Sequence, residues 1–156
     1  MTHTTLDAEP HRPAITATLE RIAEAWNAGD AAAYAAEFTE DASYVAFHGQ
    51  IMRGRPEIEH VHRMLFDGPL RGSHMEDLGS TTGTGVPPRL VRPGVAVVVE
   101  AGGIRLDGAA ELTDDRRSVL TFVLVEEEGG VWRIAAFQNT RQQVLEGGPG
   151  MARTPQ

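Results

Sequence analysis

The sequence predicts an α+β fold: a cone in which a strongly curved antiparallel sheet wraps around three N-terminal helices. Three observations predict it. Helical periodicity dominates the first half, with Ile15, Leu19, Ile22 and Trp26 on one stripe and Ile58, Val61, His62, Leu65 and Phe66 on another. β-branched and aromatic runs dominate residues 95–141. Those runs are joined by glycine turns rather than by helices, so neighbouring strands run antiparallel as hairpins.

In chain order, residues 1–12 are polar and carry Pro10, and they read as a loose arm ahead of a domain spanning 13–143. Pro13 suits a first helical turn and Gly29 a helix stop. Asp30 caps a second helix over 31–38, where Tyr34 and Phe38 share a face. Residues 41–47 and 51–53 form a small hairpin about His48-Gly49-Gln50. Gly54-Arg55-Pro56-Glu57 starts the third helix, which Gly68-Pro69 ends. A weaker strand covers 71–82, and residues 83–93, with two Gly and three Pro, read as a loop. The strand from Val95 is interrupted at Gly102-Gly103, where a bulge or bend is expected, and resumes at Ile104. The closing hairpin turns at Gly129-Gly130, which supply positive φ. Residues 144–156 read as a frayed tail.

At 156 residues the chain holds one core, with no internal repeat. Its net charge of −8 argues against nucleic-acid binding. All 14 basic residues are Arg, which excludes a lysine Schiff base or phosphate-loop lysine. With no Cys, disulfides, thiolate nucleophiles and Cys-ligated zinc are excluded. The chain has no membrane-spanning apolar run, and its N-terminus has neither a basic nor an apolar leader region. A cytoplasmic location is expected.

Several segments carry a resemblance: Ala25-Trp26-Asn27-Ala28-Gly29-Asp30 followed by Phe38-Thr39-Glu40-Asp41-Ala42, then Arg53-Gly54-Arg55, then His62-Arg63-Met64-Leu65-Phe66-Asp67-Gly68 and Leu70-Arg71-Gly72-Ser73. Trp132-Arg133-Ile134-Ala135-Ala136-Phe137-Gln138-Asn139-Thr140-Arg141 completes the set. Over residues 13–142 the chain resembles the nuclear-transport-factor-2-like superfamily, which includes ketosteroid isomerase, scytalone dehydratase and the SnoaL polyketide cyclases. More narrowly it resembles the SgcJ/EcaC group associated with enediyne antibiotic gene clusters. The resemblance implies the conical fold, a homodimer and a small-molecule pocket. It does not imply a reaction, because relatives isomerise, dehydrate, cyclise or only bind.

His62, on the inward stripe of the third helix, is the first candidate for chemistry, since imidazole moves protons near neutral pH without a cofactor. The alternative is a buried histidine satisfied by backbone or water. His60 points to another face, so the two cannot chelate one metal; no metal and no cofactor are expected. Tyr34 and Tyr44, the only phenols, are candidates to donate to an oxyanion or are core aromatics. His74 and Glu76 share a strand face, as an acid–base pair or a solvated edge. Asp41 is expected to bond local backbone amides. Where an isomerase-type general base is expected, the chain offers Ser43, Tyr44 and Val45, and no acid. Strict alternation puts Asn139 on one face with Phe137, and Gln138 on the other with Trp132 and Ile134. Trp26, Phe38, Phe47, Phe66, Met75, Val97, Val99, Phe122 and Phe137 are core and, in a cone, also wall for an apolar, conjugated ligand. Gly79-Ser80-Thr81-Thr82-Gly83-Thr84-Gly85 lacks the lysine of a phosphate loop and reads as a mobile loop.

The reading that follows is a cofactor-independent protein acting on a hydrophobic polyketide or enediyne polyene intermediate, with proton transfer through His62, assisted by Tyr34 or Tyr44 and by Gln138 or Asn139. Its rivals are a non-catalytic chaperone for a reactive polyene and a protein-interaction module. Expected partners are a second copy, paired through a sheet face carrying Thr121 and Val123, and polyketide synthase pathway proteins. Neither nucleic acid nor membrane is expected.

Overall fold

In the computed structural model, residues 6–77 and 85–143 are described. Helix α1 (Arg12–Asn27) buries Ile15, Thr18, Ile22, Ala25 and Trp26 along its stripe. Asp30 accepts the Ala33 amide at 3.0 Å and starts α2 (Ala31–Ala36), two residues shorter than the expected helix. Phe38 already belongs to strand β1 (Phe38–Val45), which turns through Gly49 (φ +90°) into β2 (Ile51–Arg53). Helix α3 (Gly54–Asp67) buries Ile58, His62 and Phe66 and leaves His60 exposed, as the spacing predicts.

The remaining strands are β3 (His74–Asp77), β4 (Val86–Arg92), β5 (Val95–Arg105), β6 (Arg117–Glu126) and β7 (Trp132–Arg141). They complete a seven-stranded sheet in the order β2-β1-β7-β6-β5-β3, with β4 also paired to β5. Every pairing is antiparallel except β1 with β7, which is parallel. The α+β cone stands, with three helices against one face of a curved sheet, and the sheet is mixed by that one pair. Phe38, Phe122, Leu124, Trp132 and Ile134 fill the core between sheet and helices.

Four local expectations change. Val86–Arg92 is a strand, not a loop: Pro87 and Pro88 lack an amide donor, which an edge strand tolerates. Strand β5 runs unbroken through Gly102 and Gly103, whose pairing with Ser118 and Arg117 shows no register shift. These glycines serve close approach instead. A Cβ on Gly102 would lie 2.8 Å from the Glu76 carbonyl oxygen, and one on Gly103 would lie 2.5 Å from that of Arg116. Residues 6–12 are docked rather than loose: Leu6 bridges Leu90, and the His11 ring meets Trp132 edge-on at 5.5 Å. Strand β3 starts at His74, because 71–72 form a turn; the rest of the strand expected over 71–82, most of the glycine-rich loop and the tail from 144 lie outside the described residues.

The closing hairpin turns where expected, with Gly129 and Gly130 at φ +80° and +75°. Its second strand holds the most consequential irregularity. Val123 pairs with Ala136 but Leu124 pairs with Ile134, so Ala135 is an extra residue in β7. The pairing with β1 also shifts across that point, between Ile134 and Ala136. This β-bulge bends the strand and resets its alternation. Trp132, Ile134 and Phe137 are all buried in consequence.

Buried charge ties the helices to the sheet. Glu37, only 8% exposed, accepts from Arg21 Nε at 2.9 Å and from Arg133 Nη1 at 3.2 Å, and Thr18 donates to the Trp132 carbonyl at 2.7 Å. No helix among the described residues is long and apolar enough to cross a membrane.

Candidate functional site

A recess lies between α1, α2 and the concave face of the sheet. Trp26 and Ile22 of α1 and Tyr34 of α2 form its helical side. Tyr44, Phe122, Phe137 and Leu120 form its sheet side, with Met75 and Ile104 at the flank. The recess is partly open, with a volume of about 50 Å³, and it adjoins a groove of about 310 Å³ that shares Ile22, Met75, Leu120 and Phe122 as walls.

Behind one wall runs a chain of hydrogen bonds. His62 Nδ1 lies 2.8 Å from the Ile58 carbonyl, which only accepts, so Nδ1 carries the proton. In the neutral ring Nε2 then accepts, and its partner at 3.3 Å is the Tyr44 hydroxyl. With its proton spent on His62, Tyr44 accepts from Tyr34 at 3.2 Å. The donor order is Tyr34 to Tyr44 to His62. The ring of His62 packs tilted against Tyr34 at 4.4 Å between centroids and edge-on against Tyr44 and Trp26 at 5.1 and 5.7 Å.

Burial governs the protonation states. It disfavours every charged form, and nothing ionic offsets it. Burial lowers the His62 pKa to about 4, against the raising effect of the Ile58 hydrogen bond. Burial raises Tyr44 to about 12 and Tyr34 well above the ordinary phenol value. All three are therefore neutral at pH 7.

His62 does not itself border the recess; the two tyrosines stand between it and the space a ligand would fill. Of the expected wall residues, Trp26, Met75, Phe122, Phe137 and Asn139 line it. Phe38 and Phe66 lie one layer back, against Tyr34 and Trp26 at 5.4 and 5.0 Å. Phe47 falls beyond the end of β1, is 51% exposed and lies beneath the Arg141 guanidinium at 4.0 Å. Val97 and Val99 alternate with buried Ala96 and Val98 and so face outward. Gln138 is exposed on that same outer side, not with Trp132 and Ile134, because the bulge at Ala135 breaks the strict alternation.

Other expected groups have local work. Asp41 accepts from the Thr39 hydroxyl at 3.0 Å rather than from backbone amides. Glu76 lies 3.9 Å from His74 but accepts from Arg105 Nε at 2.7 Å, so it is first an ion-pair partner. Among the described residues, no three His, Asp or Glu side chains gather as a metal would require.

Sequence reasoning missed the polar part of the recess: Arg116, Ser118 and Arg141, beside Asn139. Ser118 and Arg141 are paired across β6 and β7. Arg116 enters from the turn before β6, where Gly103 admits its backbone. An arginine at a strand end carries no mark of burial in sequence. Only the bulge, which aligns Phe137, Asn139 and Arg141 inward, brings Arg141 to the site.

The SnoaL-like domain family profile matches residues 15–139. No curated protein matches the chain. Among solved structures it is similar to a domain of unknown function with a cystatin-like fold from Nostoc punctiforme, at 29% identity and TM-score 0.77, covering 93% of this chain and 82% of that one. It is also similar to an uncharacterized protein with a cystatin-like fold from Caulobacter vibrioides, at 26% identity and TM-score 0.69, covering 86% and 91%. An NTF-2 like protein of unknown function from Shewanella oneidensis shares the fold at 18% identity and TM-score 0.64, covering 82% and 97%.

Proposed function

The chain belongs to the SnoaL-like domain family, and from that premise we propose that it binds a hydrophobic, conjugated small molecule of the polyketide type and shifts a proton within it without a cofactor. The observation that carries this reading is the Tyr34–Tyr44–His62 chain set against an apolar recess. The Tyr34 oxygen, having donated to Tyr44, keeps lone pairs for a ligand proton. When it takes one, its own proton passes to Tyr44 and that of Tyr44 to His62 Nε2. The Ile58 carbonyl steadies the imidazolium through Nδ1–H. With a pKa of about 4, forming that imidazolium at pH 7 costs about 4 kcal/mol, small beside an ordinary enzymatic barrier. Reversal of the relay returns the proton at another ligand atom, which is an isomerisation, or completes a cyclisation or dehydration.

The segments His62–Gly68 and Phe137–Arg141 support the narrower SgcJ/EcaC assignment, and with it an enediyne-type polyene as ligand and polyketide synthase proteins as pathway partners. The test is turnover of a synthase-released polyene by the purified protein. Tyr44→Phe cuts the relay without removing the ring and His62→Gln removes the acceptor, and each is expected to lower the rate about 100-fold or more while circular dichroism stays native. Full turnover in both variants sinks the relay.

The missing carboxylate base favours a second reading, a binding protein that shelters a reactive polyene. In that case the variants change affinity and leave the product profile of the synthase unaltered.

A further inference from the structure

We infer that the recess takes a ligand with a carboxylate head, held by Arg116 and Arg141 with Asn139 beside them. The inference rests on the reading of the cone as a ligand pocket and names the class of its occupant: a free polyketide acid rather than a neutral polyene or an ester.

The first argument is an excess of positive charge: two arginines with no direct ion pair among the described residues and one carboxylate, Asp115, in their field. Arg21, Arg105 and Arg133 each pair with a carboxylate, as does Arg117 beside the site, with Asp114. Arg116 and Arg141 form no ion pair among the described residues. Arg116 donates through Nε to the Ile104 carbonyl at 2.9 Å, and Arg141 through Nη1 to that of Asp115 at 2.5 Å. Their remaining nitrogens have no protein acceptor among the described residues. Burial and then the neighbouring Arg116 lower the Arg141 pKa, while the Asp115 carboxylate raises it, so two cations share the field of one carboxylate in a part-buried place. An anion between them removes that repulsion.

The second argument is unmet hydrogen bonding. Arg141 Nε and Asn139 Oδ1 are shielded from solvent and have no hydrogen-bond partner among the described residues. A buried donor left unpaired costs free energy unless something supplies an acceptor. A guanidinium fork matches the two oxygens of a carboxylate. Asn139 Oδ1 needs a donor instead, which a hydroxyl or enol near the carboxylate supplies.

The third argument is polarity. The adjoining groove is lined by no arginine among the described residues, whereas Arg116 and Arg141 line the recess. The net charge of the whole chain is −8. The head of an acidic ligand is therefore drawn to the arginine end and not to the groove, which fixes its direction with the apolar body against Phe122, Phe137 and the tyrosines.

The test uses the full chain with cis-parinaric acid, a fluorescent polyene fatty acid, and its methyl ester, read by probe fluorescence and by quenching of tryptophan emission. The acid is expected to bind about tenfold tighter than the ester or better. Arg116→Gln and Arg141→Gln should each erode that preference by weakening the acid more than the ester, with melting temperature as the check on folding. The acid-to-ester comparison on the unaltered protein stands even if a variant does not fold. Equal binding of acid and ester overturns the carboxylate inference and leaves the apolar pocket intact. Binding of neither probe overturns both.

Discussion

His62 holds its proton on Nδ1, spends Nε2 on Tyr44 and is 1% exposed. That arrangement has a thermodynamic signature. Its folded pKa, about 4, lies below the ordinary value of 6.5. Above pH 6.5 both folded and unfolded states carry the neutral ring, and the stability it contributes is fully present. As pH falls from 6.5 toward 4 the unfolded chain takes up the proton and the folded one does not, so stability falls by about 3 kcal/mol. Denaturant melts of wild type and His62→Gln should converge by that amount over this window. Parallel pH profiles for the two would show that His62 is protonated in the folded state.

At the scale of elements, the two glycines of β5 admit neighbouring backbone rather than bend the strand. Gly103 lets the backbone of Arg116 pass within reach and places Leu112 against the sheet; an added Cβ would meet the Leu112 side chain at 2.9 Å. Gly103→Ala is expected to cost about 1–3 kcal/mol through overpacking and to weaken ligand binding through displacement of Arg116. Thermal melting with probe titration checks both, and an unaffected protein would mean that the turn before β6 is compliant. Much of this level was legible in the sequence. The stripe of Ile58, His62 and Phe66, the Asp30 cap and the Gly129-Gly130 turn follow from side-chain spacing and backbone preference, which are local. Strand β4 was not legible, because Pro87 and Pro88 signal a break and only pairing with β5 makes them an edge. The bulge was not legible either. Ala135 has no residue-type signal for irregular backbone, and the parity of β7 decides whether Asn139 and Arg141 or Gln138 and Thr140 meet the recess.

For the whole molecule, the outer side of the sheet carries Val97, Val99, Val119 and Val123 around exposed Thr121. We propose that two copies pair through this face, since β-branched side chains on an uncovered sheet favour isologous contact. Sedimentation should report twice the monomer mass for wild type and the monomer for Val97→Asp with Val123→Asp. A wild-type monomer at high concentration would end the idea. The concave side then remains free for a ligand, so assembly and binding use opposite surfaces of one sheet. The bulge at Ala135 links the two in a different way. A curved wall has a longer outer arc than inner arc, and the extra residue supplies that difference in contour length. Removing it would leave each side chain of β7 on its own side while straightening the wall. How wide the cone opens is thus set by a count of residues rather than by their volumes. In this chain, deletion of Ala135 would change the curvature of β7 and keep Phe137, Asn139 and Arg141 on the recess side.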